Sequence, residues 1–216
     1  MKKVFIAILA LMCSLSVTNA QKRFEGLVSG GLNMSSLIGI DNTSPKTGLY
    51  AGFGSAIYIT KRFGLSVEVV YSEQGTHCNP NEMGVDFDYN YNYMNVPVTL
   101  CYRLPRWGLT LFAGGQYGKL LDATYSYTAP SILEEGKYVA GYGEFDKSEF
   151  HPWDIGAILG FRWIFLPKYH LGVSARYVMG ITQTHNGISD IANGHHYISV
   201  PDNRNSTIQL GLVMSF

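Results

Sequence analysis

The sequence predicts an all-β fold, a transmembrane up-and-down antiparallel β-barrel of eight strands. Three observations lead there. Segments of strand length alternate apolar and polar residues with a period of two. Their connections alternate between short and long, as in a meander with both termini on the short-turn side. Finally, charge is scarce and sits on only one face of the alternation: 24 Gly, 15 Tyr and 11 Phe accompany only 15% charged residues, so part of the surface is expected to meet something other than water.

Residues 1–20 come first and read as an address. MKK is a basic start, VFIAILALMCSLSV an apolar run and TNA a small-residue cleavage site, the pattern of an export signal removed after Ala20. A lipid-modified Cys13 is disfavoured, because bulky Met12 precedes it and it lies inside the apolar run. The expected domain is therefore 21–216. Lys2 and Lys3 leave with the signal while all 16 acidic residues stay, so the mature chain carries net −2. A nucleic-acid partner is excluded, since phosphate binding needs a basic surface. Cys78 and Cys101 remain; one sits in a predicted loop and the other in a strand, so a disulfide is not the default expectation.

The strands are read at 24–33, 48–60, 63–74, 93–103, 108–119, 153–165, 170–180 and 206–216. Each is close to the ~9–11 residues that cross a bilayer at a tilt. Connections at 61–63, 104–107 and 166–170 are tight, and those at 34–47, 75–92, 120–152 and 181–205 are long. The apolar faces run Phe63, Leu65, Val67, Val69, Tyr71, then Met94, Val96, Val98, Leu100, Tyr102, and continue through Trp153 to Phe165 and Leu171 to Met179. The last strand, STIQLGLVMSF, sets Ile208, Leu210, Leu212, Met214 and Phe216 on one face. Strands 2 and 5 are less regular, with Tyr50, Tyr58 and Phe112 on the nominally inner side.

Glu68, Arg103, Arg162 and Arg176 all fall on the faces opposite the apolar ones. A water-soluble barrel has polar groups outside; this pattern is inverted, so lipid is expected around the barrel. Open sheet cannot sit in hydrocarbon, because each unpaired backbone group there costs several kcal/mol, so the last strand must pair with the first. Eight strands leave an interior that side chains fill. The expected filling is a polar network in which Glu68, with Glu25 and Asp154, pairs with Arg103, Arg162 and Arg176, while Gln116 and Asn95 satisfy leftover donors. That network makes a plug rather than a channel. Strand glycines are expected to give these side chains room, and Pro97 to interrupt a ladder.

GLNMSS at 31–36, VEVVYSEQG at 67–75, YMNVPVTLCYRL at 93–104, FAGGQYGKLL at 112–121, WDIGAILGFRW at 153–163, LGVSARYVMGIT at 171–182 and IQLGLVMSF at 208–216 together resemble the PorT-like outer-membrane β-barrel proteins of Bacteroidetes-type bacteria. The resemblance implies an integral barrel of the Gram-negative outer membrane, with outer-membrane lipid around it. It also implies insertion by the barrel-assembly machinery, which reads a terminal aromatic such as Phe216. The family's namesake is linked to secretion of gingipain-type proteases; no ligand or cofactor is implied.

The loops carry residues of two further chemistries. His151, His185, His195 and His196, with Ser148, Ser189 and Asp190, lie in or beside long loops, but no nucleophile motif frames them, so solvated loop residues are expected rather than a lipid A enzyme. His77 beside Cys78, and the pair His195 and His196, match the spacing of no closed metal site. Loop 75–92 carries Glu82, Asp86 and Asp88, and closes on YNYNY. Tyr89, Tyr91 and Tyr93 are its candidate surface contacts for a protein or glycan, since tyrosine gives contact area at low entropy cost; a solvated hairpin is the favoured alternative.

Overall fold

The computed structural model describes residues 23–38, 43–78, 86–130, 138–144, 151–184, 188–189, 197–198 and 203–216. Its strands are β1 (Phe24–Ile38), β2 (Thr43–Tyr58), β3 (Phe63–Cys78), β4 (Asp86–Leu104), β5 (Leu109–Pro130), β6 (Tyr138–Glu144), β7 (Trp153–Leu166), β8 (Leu171–Gly180), β9 (Ile188–Ser189), β10 (Tyr197–Ile198) and β11 (Arg204–Ser215). Consecutive wall strands pair antiparallel, β4 pairs β5, and β5 pairs β7 below its ladder with β6. β11 closes on β1, from Leu27 opposite Ser215 to Ile38 opposite Arg204. The result is a closed barrel of eight strands, with β6 as a hairpin arm on β5 and β9–β10 as a short ladder.

Several strands run well past their predicted ends on the long-loop side: β3 reaches Cys78, β4 begins at Asp86 and β5 continues to Pro130, while at the short-turn end no strand exceeds its prediction by more than one residue. Above the bilayer the outer face becomes polar, so the apolar-outward alternation that marks a strand in lipid is lost while the ladder continues. Residues 75–78 and 86–92 are therefore wall rather than loop. Glu82 lies outside the described residues.

The outer wall is apolar and exposed, with Leu100 70%, Leu159 66% and Leu212 56% accessible. Aromatic side chains gather at the short-turn end, where Phe63, Trp107, Trp163, Tyr169 and Phe216 are exposed, as an interfacial girdle requires. Inward positions are buried: Ser66, Glu68, Val70 and Ser72 on β3, and Asn95, Thr99 and Cys101 on β4. Between β3 and β4 the ladder pairs Val67 with Val98 and resumes at Val70 with Asn95. The gap lies opposite Pro97, which has no N–H to donate, and the register is unchanged across it. A further irregularity lies between β4 and β5, where Asn92 faces Asp122 but Tyr93 faces Leu120. The extra residue, Leu121, reverses which residues of β5 point inward above it.

Two of the short turns share one construction. Pro105–Trp107 and Pro167–Tyr169 each form a single 3-10 turn, ended by a left-handed residue, Gly108 at φ 64° and His170 at φ 55°. Proline presets the first turn position and the left-handed residue reverses the chain into the next strand.

Candidate functional site

Long side chains from distant strands meet inside the barrel because every second residue of every strand points there. Glu68 of β3 is the midpoint. Arg176 Nη1 of β8 donates to its Oε2 at 3.3 Å, and Arg162 Nη2 of β7 lies 3.8 Å from its Oε1. All three side chains are less than a tenth exposed. Two cations share one carboxylate, and neither Arg162 Nη1 nor Arg176 Nε has a hydrogen-bond partner among the described residues. Arg103 of β4 donates instead to Glu25 of β1, nearer the short-turn end.

Each of these arginines also faces a ring. The guanidinium carbon of Arg103 is 3.6 Å from the Tyr58 centroid, that of Arg176 is 5.3 Å from Tyr50, and that of Arg162 is 5.7 Å from Phe112. The three aromatics that looked irregular in strands 2 and 5 are thus the arginines' other partners, in the distance range of cation–π attraction. Glycines lie where this filling is tightest. A Cβ at Gly54 would stand 2.7 Å from Glu68 Cγ, and one at Gly160 would stand 2.6 Å from Phe112 Cζ. The sequence signal for these rings is their place: Tyr50, Tyr58 and Phe112 stand on the inward face of strands 2 and 5, the same face of the alternation that carries Arg103, Arg162 and Arg176 on their own strands.

Asp154 corrects the expected pairing. It stands at the start of β7, at the long-loop end, where Thr182 Oγ1 donates to it at 2.6 Å; the arginines lie further down the barrel. Gln116 is buried opposite Pro97 and Gly156, and Asn95 Oδ1 has no partner among the described residues. A separate set of interior donors, the amides of Asn33, Gln74 and Gln209, converges on Ser72. Its Oγ accepts from Asn33 Nδ2 at 2.9 Å, Gln74 Nε2 at 3.1 Å and Gln209 Nε2 at 3.3 Å. No local pattern marks a lone serine as the meeting point of three amides from three strands.

The tyrosines require a second correction. Tyr91 and Tyr93 are 0% and 1% exposed and pack inside with Leu37, Leu120 and Ala123, with half-buried Tyr89 against them. Tyr91 and Tyr93 are therefore not surface contacts, while Tyr89 keeps part of its side chain accessible. YNYNY is strand, so alternation turns the tyrosines inward and the asparagines out.

Outside the wall, His77 Nδ1 is 2.9 Å and Lys46 Nζ 3.2 Å from Asp88 Oδ1, and His77 Nε2 is 3.8 Å from Asp86. Burial raises the Asp88 carboxyl, but the hydrogen bond from His77 and the Lys46 charge outweigh it and hold the group below its ordinary value. Burial, helped by the Asp88 charge, pushes the Cys78 thiol up. Cys78 and Cys101 are both free thiols. Among the described residues no group of His, Cys, Asp and Glu is placed to hold a metal. His151 lies 6.1 Å from the Trp153 ring. Ser148, His185, Asp190, His195 and His196 lie outside the described residues, and of Ser189 only the backbone is described.

Phe216 continues the β11 ladder beyond its last assigned residue, since Gly26 N–H donates to its carbonyl at 2.7 Å and its own N–H donates to Gly26 O at 3.0 Å. Its ring is 72% exposed on the outer wall.

A model of the outer membrane protein beta-barrel domain matches residues 19–186. No curated protein matches the chain. Solved structures similar to it include Ail, the attachment invasion locus protein of Yersinia pestis, at 14% identity and TM-score 0.47 over 90% of this chain and 99% of that one. Acinetobacter baumannii CarO aligns at 12% identity and TM-score 0.47, over 87% and 97%. Neisserial surface protein A aligns at 11% identity and TM-score 0.44, over 89% and 97%. The family match takes in most of the sequence, and the chain therefore belongs to the outer membrane protein β-barrel domain family and resides in the outer membrane of a Gram-negative bacterium.

Proposed function

We propose that this barrel is closed to solutes and acts as a structural or interaction protein through the part that rises above the membrane. The observation that carries the closed lumen is a single apolar cluster drawn from seven strands: Leu27, Ala56 and Tyr58, Cys101, Phe112, Ile158, Val178 and Val213. Side chains that meet across the full width of an eight-stranded barrel leave no open path. The ion pairs of Glu68 add a charged layer to it. Above the bilayer, the β5–β6 arm offers Tyr138, Val139 and Tyr142, at 70%, 52% and 92% exposure, as surface for a protein or glycan. The resemblance to PorT-like proteins, and with it a link to protein secretion, belongs to this proposal. So do the export signal at 1–20, insertion by the assembly machinery reading Phe216, and the absence of catalysis.

Conductance and liposome swelling with the purified barrel test the closed lumen. No solute flux is expected. Flux that responds to substitutions at Arg162 or Arg176 would establish the rival reading, a small pore. Mass spectra of lipid A from cells with and without the protein should be identical; a changed acyl pattern would make it an enzyme.

A further inference from the structure

The short-turn end of the barrel carries a repeated dipeptide. Arg23-Phe24 opens β1, Arg62-Phe63 opens β3, Arg106-Trp107 lies in the β4–β5 turn and Lys168-Tyr169 in the β7–β8 turn. Every station is a cation followed directly by an aromatic. Lys61 adds another positive charge to the second. Arg23, Lys61, Arg62, Arg106 and Lys168 are all exposed. Among the described residues the only acidic side chain at this end is Glu25, which points inward and is taken by Arg103. At the opposite end the outward charges are mixed, with Glu73, Asp86, Asp88, Asp122 and Glu144 among Lys46, Lys119 and Arg204. The positive rim is therefore one-sided.

We propose that this rim binds the anionic headgroups of phospholipids in the periplasmic leaflet, the side on which outer-membrane barrels place their short turns. Three features select a lipid over an acidic protein or the cell wall. The cations are spread around the whole circumference, which suits an annulus and not a single docked partner. The turns are tight, so the charges stay at headgroup depth and do not reach into the periplasm. They are also paired with aromatics of the kind that sit in that layer: Lys168 Nζ lies 5.7 Å from the Tyr169 centroid, and Arg62 Nη1 is 3.5 Å from the Tyr102 hydroxyl. Long basic stems run along apolar wall while their heads stay wet, which places each charge beside a lipid phosphate.

Native mass spectrometry of the barrel released from nanodiscs of equal phosphatidylcholine and phosphatidylglycerol tests this. The wild-type chain is expected to retain phosphatidylglycerol over phosphatidylcholine by about two- to five-fold, as several interfacial cations predict. The triple variant R62Q/R106Q/K168Q, its folding checked by heat-modifiable gel migration, is expected to lose that enrichment, whereas K119Q on the opposite rim keeps it. Enrichment unchanged in the triple variant, or lost equally in K119Q, overturns the proposal. Binding of the wild type to lipid-free sacculi that vanishes in the triple variant, without any lipid enrichment, overturns it in favour of the cell wall.

Discussion

The guanidinium of Arg103 lies 3.6 Å from the centroid of the Tyr58 ring while its Nη2 reaches Glu25. Anion and ring approach the cation from two different strands, β1 and β2, so the charge is met by more than its carboxylate. The Arg103 side chain is only partly buried, so these partners replace the share of its hydration that the barrel removes. Replacing Tyr58 with leucine keeps apolar volume and removes the π face. A loss of about 1–2 kcal/mol is expected in reversible urea unfolding from detergent micelles; an unchanged midpoint would mean that the ring only fills space.

Glu68 has the larger predicted effect, because it serves two arginines that have no other carboxylate near them among the described residues. Glu68→Gln leaves both buried charges uncompensated and should cost about 3–5 kcal/mol. The double variant with Arg176→Met should recover part of that loss, measured by the same unfolding transitions in a double-mutant cycle.

Room for the Arg162–Phe112 pair depends on Gly160, whose added side chain would run into the Phe112 ring. Gly160→Val is expected to cost about 1–3 kcal/mol through overpacking, and to shift the tryptophan fluorescence of neighbouring Trp163 little, since that ring faces lipid.

The outer wall makes an opposite prediction about charge. Leu159 is 66% exposed, which in water would make it tolerant of a polar residue. Leu159→Arg should instead destabilise the barrel by about 2–4 kcal/mol in a bilayer, as expected near the membrane midplane. A change near zero would place that face outside hydrocarbon.

At the upper rim, His77 and Lys46 hold the Asp88 carboxyl below its ordinary value in spite of burial. A depressed carboxylate contributes stability that is present above the unfolded-state value and is lost as the pH falls through the folded one. Amide exchange at residues 76–78 and 86–90 should therefore be slow at neutral pH, after correction for intrinsic rates, and lose protection in acid. In Lys46→Met the loss should begin at higher pH. About a third of this carboxyl is exposed, so solvent screening keeps the effect local.

The strand count, the inward and outward faces and the closure of β11 on β1 were legible in the sequence by itself. All three follow from a local rule, the period of two, and from the refusal of hydrocarbon to accept an unpaired backbone edge. Glu68, Arg103, Arg162 and Arg176 could be assigned to the interior on the same grounds. Which of them touch could not. Arg176 and Glu68 are 108 residues apart, and Gln209 and Ser72 are 137 apart; their meeting depends on the tilt and stagger of a closed sheet, to which every ladder contributes. The same holds for Asp154, which faces inward as the period dictates but stands too high in the barrel to reach an arginine. Tyr91 and Tyr93 were misplaced for a related reason. Local pattern turns the apolar face outward only while lipid lies outside the strand; above the bilayer the period of two persists but its sense inverts, and the ladder with its neighbours decides which way a side chain points.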